Sequence, residues 1–144
     1  MPLLNYTTSV PTSRSLSEIQ SKLAKAGAHK VLVEYGRGGR VESVSFKLRT
    51  KFGELAYLLP ANVPAIQAVL RKQFPRSALV QERAEAVAWR ILKDWVEAQL
   101  ALVETGMVAP EQVFLAYVQD PKGQTLYEVL AEKRFDGLAL EDKK

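Results

Sequence analysis

The chain has 144 residues, 47% apolar and 25% charged, which fits one globular domain and excludes a disordered chain. It holds no cysteine and one histidine, His29; that excludes disulfides, thiolate zinc and cysteine nucleophiles, and argues against multi-histidine metal centres and serine–histidine–acid triads. The net charge of +4 is uneven, since residues 1–75 hold 11 Lys/Arg against 4 Asp/Glu while residues 76–144 hold 9 against 12, and a basic first half points to a polyanion-facing surface.

The N-terminus lacks a basic start followed by an apolar run, so no signal peptide is expected. No apolar stretch approaches the ~20 residues that span a bilayer. Together with the missing cysteine, this gives the expectation of a cytoplasmic protein without membrane contact. Residues 3–10, rich in Tyr, Thr and Val and closed by Pro11, predict a short edge strand. Ser15 and Glu18 form a capping-box pattern, and Leu16, Ile19 and Leu23 then mark one face of a helix that Gly27 stops.

Strands are predicted over 30–35, 41–50 and 54–59, with Val44, Phe46 and Leu48 on the inner face of the second. Asn62 caps a helix over 63–74 that offers Val63, Ile66, Val69, Leu70 and Phe74 to the core. Residues 79–105 contain neither Gly nor Pro and predict one long helix, apolar on two sides and therefore buried between layers or against a partner. The stripe containing Ile91, Leu92 and Trp95 is expected deep in the core. The other stripe, with Trp89, Val96 and Leu100, is a candidate patch for a protein partner or for self-association. Pro110 opens a further helix, residues 120–123 form a turn, and Thr125 and Glu128 make a capping box for a last helix before a frayed tail at 141–144. Strands followed by helices predict an α+β domain over 1–144, with a basic α+β part at 1–78 and a helical part at 79–144. Its antiparallel sheet of three or four strands packs against the C-terminal helices.

The glycine cluster Gly36, Gly38 and Gly39 raises the question of a phosphate loop. Such a loop needs its glycines between a strand and a helix N-terminus. Here a strand follows, so the cluster predicts a hairpin turn whose glycines supply positive φ. That turn carries Arg37 and Arg40. Along the next strand Lys47, Arg49 and Lys51 alternate onto the face opposite Val44, Phe46 and Leu48. The five form a candidate track for phosphates of DNA or RNA, single-stranded nucleic acid included, with Tyr35 and Tyr57 as candidate stacking rings. On the long helix, Arg90–Asp94 and Lys93–Glu97 have ion-pair spacing. Asp94, Glu97 and Glu104 lack a convergent ligand from another element, so no metal and no cofactor is expected. His29 reads as a surface or cap residue. With no nucleophile–base pair visible, no catalytic residue is assigned and an enzyme is not expected.

Two blocks, "FGELAYLLPANVPAIQAVL" (52–70) and "ERAEAVAWRILKDWVEAQLALVETGMVAPEQVFLAYV" (82–118), together with the opening "YTTSV…SEIQSKLAKAGA", resemble a group of small proteins encoded by bacteriophages, prophages and bacterial mobile elements. The resemblance implies phage DNA metabolism or host interaction and transfers no site residue. The α-β-β-β-α order also matches the double-stranded-RNA-binding domain, but that family's glycine–proline–histidine loop and lysine pair are absent. The expected function is a non-enzymatic accessory protein that contacts nucleic acid through the basic hairpin. The alternative is a protein–protein adaptor or inhibitor acting through the helical half.

Overall fold

The structure, a computed structural model, describes residues 2–140. Its order is α1 (Thr12–Lys25), β1 (Lys30–Tyr35), β2 (Val41–Thr50), β3 (Gly53–Pro60), α2 (Val63–Gln73), α3 (Val80–Glu104), the short α4 (Pro110–Val113) and α5 (Leu126–Glu132). The strands make an antiparallel meander, β1-β2-β3, and the helices complete the expected α+β fold. The expected tail at 141–144 lies outside the described residues.

Residues 3–10 are not a strand. Two turn bonds, from Tyr6 N–H to the Leu3 carbonyl and from Thr8 N–H to that of Asn5, curl the segment around Asn5 at a φ of 63°. Tyr6 then stacks on Phe74 and Asn5 Nδ2 donates to Asp94. Side-chain docking on α2 and α3 thus replaces a sheet edge. The expected Ser15–Glu18 capping box does not form, because α1 starts three residues earlier, at Thr12 after Pro11, with no side-chain cap. Ser15 lies buried inside the helix and accepts a long bond from Arg90. The other boundaries follow their local chemistry. Gly27 ends α1 at a φ of 105°, Asn62 Oδ1 accepts from Ala65 N–H, and Thr125 and Glu128 form the reciprocal box that opens α5.

The inner face of the sheet carries Val44, Phe46, Leu48, Tyr57 and Leu59, all buried. Phe46 stacks on Tyr57, and Phe114 meets both edge-on. Helix α3 divides the core. One side packs with α1 and the sheet around Trp89 and Val96, both 0% exposed. The other side packs on α2 through Val80, Ala84, Val87 and Ala88. Two apolar sides therefore mean two neighbouring layers, as expected. The depth assignment is reversed: Trp89 and Val96 are fully inside, while Ile91, Leu92 and Trp95 are half-buried. The Trp89 indole N–H donates to the Val41 carbonyl at 3.3 Å, and Val41 N–H donates to Glu85 Oε2 at 2.9 Å. Trp95 instead packs edge-on against Phe114 and Tyr117, under the C-terminal segment.

The sheet's two outer edges differ. The edge of β3 is continued by residues 118–119, with Gln119 N–H donating to the Ala56 carbonyl and a bridge between Tyr57 and Val118. No strand among the described residues pairs with the outer edge of β1.

Trp89→Ala should cost about 3–5 kcal/mol and Trp95→Ala about 2 kcal/mol in urea denaturation, because only the first empties a fully buried site. The opposite order would return the depth to the Ile91–Trp95 stripe. The Tyr57 hydroxyl is buried without a hydrogen-bond partner among the described residues. Burial, then the charge of Glu111, raises its pKa. Tyr57→Phe should therefore raise stability by about 1 kcal/mol, by removing an unsatisfied polar group. A loss of that size would show that the hydroxyl is paired in solution.

Candidate functional site

The pairing register fixes which side chains share the sheet's outer face. Lys30 lies opposite Lys47, Leu32 opposite Ser45, and Glu34 opposite Ser43. Across β2, Arg49 lies opposite Glu54, Lys47 opposite Ala56 and Ser45 opposite Leu58. The end of the sheet near the β2–β3 turn therefore gathers Lys30, Lys47 and Arg49, with Lys51 in the turn itself. Lys30 and Lys47 directly opposite one another is an arrangement that costs stability, since like charges on paired strands repel. Glu54 offsets it in part. Its carboxylate stands 3.9 Å from Lys47 Nζ and 3.1 Å from His29 Nε2. Beside them Phe52 is 70% exposed, with Lys51 Nζ 5.1 Å from its ring centroid.

Arg37 and Arg40 lie at the other end of β2. Arg37 is exposed in a single 3-10 turn over Arg37–Gly39, where Gly38 and Gly39 take φ of 74° and 75°. This turn joins β1 directly to β2, as the hairpin reading expects, and leads into no α-helix. Gly36 takes an extended φ of −97°, and a Cβ there would meet only the exposed side chain of Glu42, which can turn aside. Seven residues separate Arg40 from Lys47, roughly 20 Å of strand. Ser43 and Ser45 occupy the face between them, with Ser45 Oγ donating to Glu34 Oε1 at 2.9 Å. The five basic residues thus form two groups, Arg37 with Arg40 and Lys47 with Arg49 and Lys51. Lys30 joins the second group. The sequence carries Lys30 in plain view, but only the register shows its place. Of the candidate stacking rings, Tyr57 is fully buried, whereas Tyr35 is 65% exposed at the sheet edge.

The carboxylates of α3 serve an ion-pair network with α1. Arg90 pairs with Glu18 at 2.9 Å and not with Asp94. Lys93 reaches Glu97 at 2.9 Å, Asp94 at 3.3 Å and Glu18 at 3.8 Å, and Lys22 reaches Glu97 at 3.2 Å. Asp94 and Glu97 are thereby held by cations and by Asn5, and among the described residues no group of three His, Cys, Asp or Glu is arranged to hold a metal. The patch expected around Trp89, Val96 and Leu100 is absent from the surface, because Trp89 and Val96 lie inside. Leu100 lines a groove of about 540 Å³ with Lys22, Lys25, Glu97 and Val103. No helix among the described residues is long and apolar enough to cross a membrane. No family model, curated protein or solved structure matches the chain.

The network sets a pH dependence. Removal from water pushes the Glu18 carboxyl up. The hydrogen bond and charge of Arg90, joined by Lys93 and Arg14, outweigh that and hold it below its ordinary 4.5. Glu97 is lowered by its bonds to Lys93 and Lys22. Lys93 is raised above 10.5 chiefly by its bond to Glu97, with burial opposing. Depressed carboxylates contribute stability that is complete above their unfolded value and lost as pH falls through the folded one. The denaturation midpoint should therefore drop between about pH 5 and pH 3, and Glu18→Gln should flatten that drop. The raised Lys93 adds the mirror effect: its contribution is complete below 10.5 and is lost as pH climbs through its folded value. An acid limb identical in wild type and Glu18→Gln would show that this pair does not carry it.

Proposed function

We propose that the protein is a non-enzymatic, phage-type accessory protein of the cytoplasm that contacts nucleic acid through the sheet end bearing Lys30, Lys47, Arg49 and Lys51. Arg37 and Arg40 provide a second, separate contact. The observation that carries the reading is the direct opposition of Lys30 and Lys47 beside Arg49 and Lys51. Folding gains nothing from it, and a local conflict of this kind is expected where a surface serves a ligand. A phosphate backbone would neutralise all four cations at once. The exposed Phe52 favours a single strand, whose unpaired bases offer faces for stacking. The alternative is an adaptor acting through the helical half; the patch expected for it has Trp89 and Val96 inside, and the large apolar side chains exposed on that half include Met107, Leu115 and Tyr127 instead.

Salt-titrated binding tests this. Four phosphate contacts give a slope of log K against log salt of about −3 to −4. Replacing Lys30, Lys47, Arg49 and Lys51 with Gln should remove most of that slope, with similar losses on every sequence, because phosphate contacts do not read bases. Replacing Arg37 and Arg40 should remove less. Phe52→Ala should weaken single-strand binding by about 1–3 kcal/mol and duplex binding far less. No binding to any nucleic acid at low salt, or binding indifferent to the four substitutions, overturns the reading.

A further inference from the structure

The outer edge of β1 has no strand beside it among the described residues. Its hydrogen-bonding parity follows from two bonds: Gly36 N–H donates to the Arg40 carbonyl at 2.8 Å, and Ala61 N–H donates to that of Glu42 at 2.8 Å. Carrying the two-residue period along the register from these bonds, the backbone groups of Lys30, Leu32 and Glu34 face β2. Those of Val31, Val33 and Tyr35 therefore point away from the sheet. An edge left in this state is a template for another strand. The opposite edge, on β3, is already covered by residues 118–119.

The side chains select the occupant. Lys30, Leu32 and Glu34 share the outer face, and Leu32 is 63% exposed. A strand whose edge carried one sign of charge would repel its own copy. Here one cation and one anion stand two residues either side of a central leucine. We propose that the protein forms a two-fold dimer in which β1 pairs antiparallel with β1 of a second copy, with the axis through Leu32. In this register Val31 lies opposite Val33 of the partner copy, and each such pair exchanges two N–H···O=C bonds through the outward-facing groups. Leu32 meets its own counterpart in a non-hydrogen-bonded pair, where side chains approach most closely. Lys30 lies opposite Glu34 of the partner copy, and the two-fold makes that contact twice. Shifting the register by one step along the parity, onto Val33, sets Glu34 against Leu32 and loses both ion pairs. On the inner face, a groove of about 340 Å³ lined by Thr12, Leu16, Gln20, Val33, Tyr35 and Glu85 lies beside the edge at Val33, where Val31 of the partner copy enters. The result is a continuous six-stranded sheet.

Sedimentation equilibrium over a range of concentrations tests this, with the 16.0 kDa chain as the monomer reference. The wild type should associate reversibly to a dimer of twice that mass. Glu34→Lys places like charges opposite each other twice and should weaken association at least about tenfold. Adding Lys30→Glu to it restores opposite charges in the same register and should recover most of the loss. Val33→Pro should abolish the dimer while leaving the monomer folded, since the N–H it removes faces away from the sheet. The fluorescence of Trp89 and Trp95 reports whether each variant is folded, and the Glu34→Lys pair carries the test if the proline variant is not. As an independent readout, the amides of Val31 and Val33 should gain protection from hydrogen exchange as protein concentration rises. A wild type that stays monomeric at millimolar concentration overturns the proposal, as does protection of these amides only when a different protein is added. A dimer indifferent to Glu34→Lys, or a charge swap that fails to recover it, overturns this interface.

Discussion

At the β-bulge formed by Val41 and Glu42, the backbone of Val41 bonds to α3: its N–H donates to Glu85 and its carbonyl accepts from Trp89. Val41 is almost fully buried, and a buried backbone group left without a partner costs about 1–3 kcal/mol. Glu85 and Trp89 are four residues apart and so lie on one face of α3. The pair of bonds therefore sets the rotation of the helix against the sheet. With Trp89 turned inward, Val96 follows it two turns later, and Arg90 and Lys93 are delivered to Glu18 on α1. The opposite side, Ala84, Val87 and Ala88, is left to α2. One irregularity in a hairpin thus decides which neighbour each face of the long helix meets.

This explains why the depth of α3 was not legible in its sequence. The stripe that faces the sheet and α1 runs Trp89, Lys93, Val96, with a lysine at its centre. A reading by hydrophobic period prefers the purely apolar stripe of Ile91, Leu92 and Trp95. Lys93 is tolerated inside because Glu97, Asp94 and Glu18 surround its ammonium, and a buried charge is acceptable only when paired. Two of those partners are sequence neighbours, but Glu18 lies 75 residues away and no local pattern announces it. The same limit applies to residues 3–10. Their composition favours a strand, and the contacts of Tyr6 with Phe74 and of Asn5 with Asp94 override it.

Elements governed by local rules were legible to within a residue or two. The meander, the Asn62 cap, the Gly27 stop and the hairpin at Gly36–Gly39 each rest on turn or cap chemistry that acts over a few residues. The candidate site was legible by half. Alternation along β2 placed Lys47 and Arg49 on one face. It gave no view of how far Arg37 and Arg40 stand from them, nor of Lys30 on the neighbouring strand. Both are properties of strand length and register, which composition does not contain.

Register also connects the two surfaces. Within one chain, roughly 20 Å of strand separates Arg40 from Lys47. A two-fold through Leu32 reverses the second copy, so that the hairpin tip of one copy lies beside the basic end of the other. Lys47 and Arg40 of the partner copy then stand on strands three spacings apart, about 14 Å across a continuous sheet. Each end of the paired sheet would then combine Lys47, Arg49 and Lys51 from one chain with Arg37 and Arg40 from the other. Lys30 keeps its place opposite Lys47 in the same step and gains Glu34 of the partner copy on its other side. Pairing would gather the cations of both chains into two equivalent clusters, so that association of the chain and its affinity for a polyanion rise together.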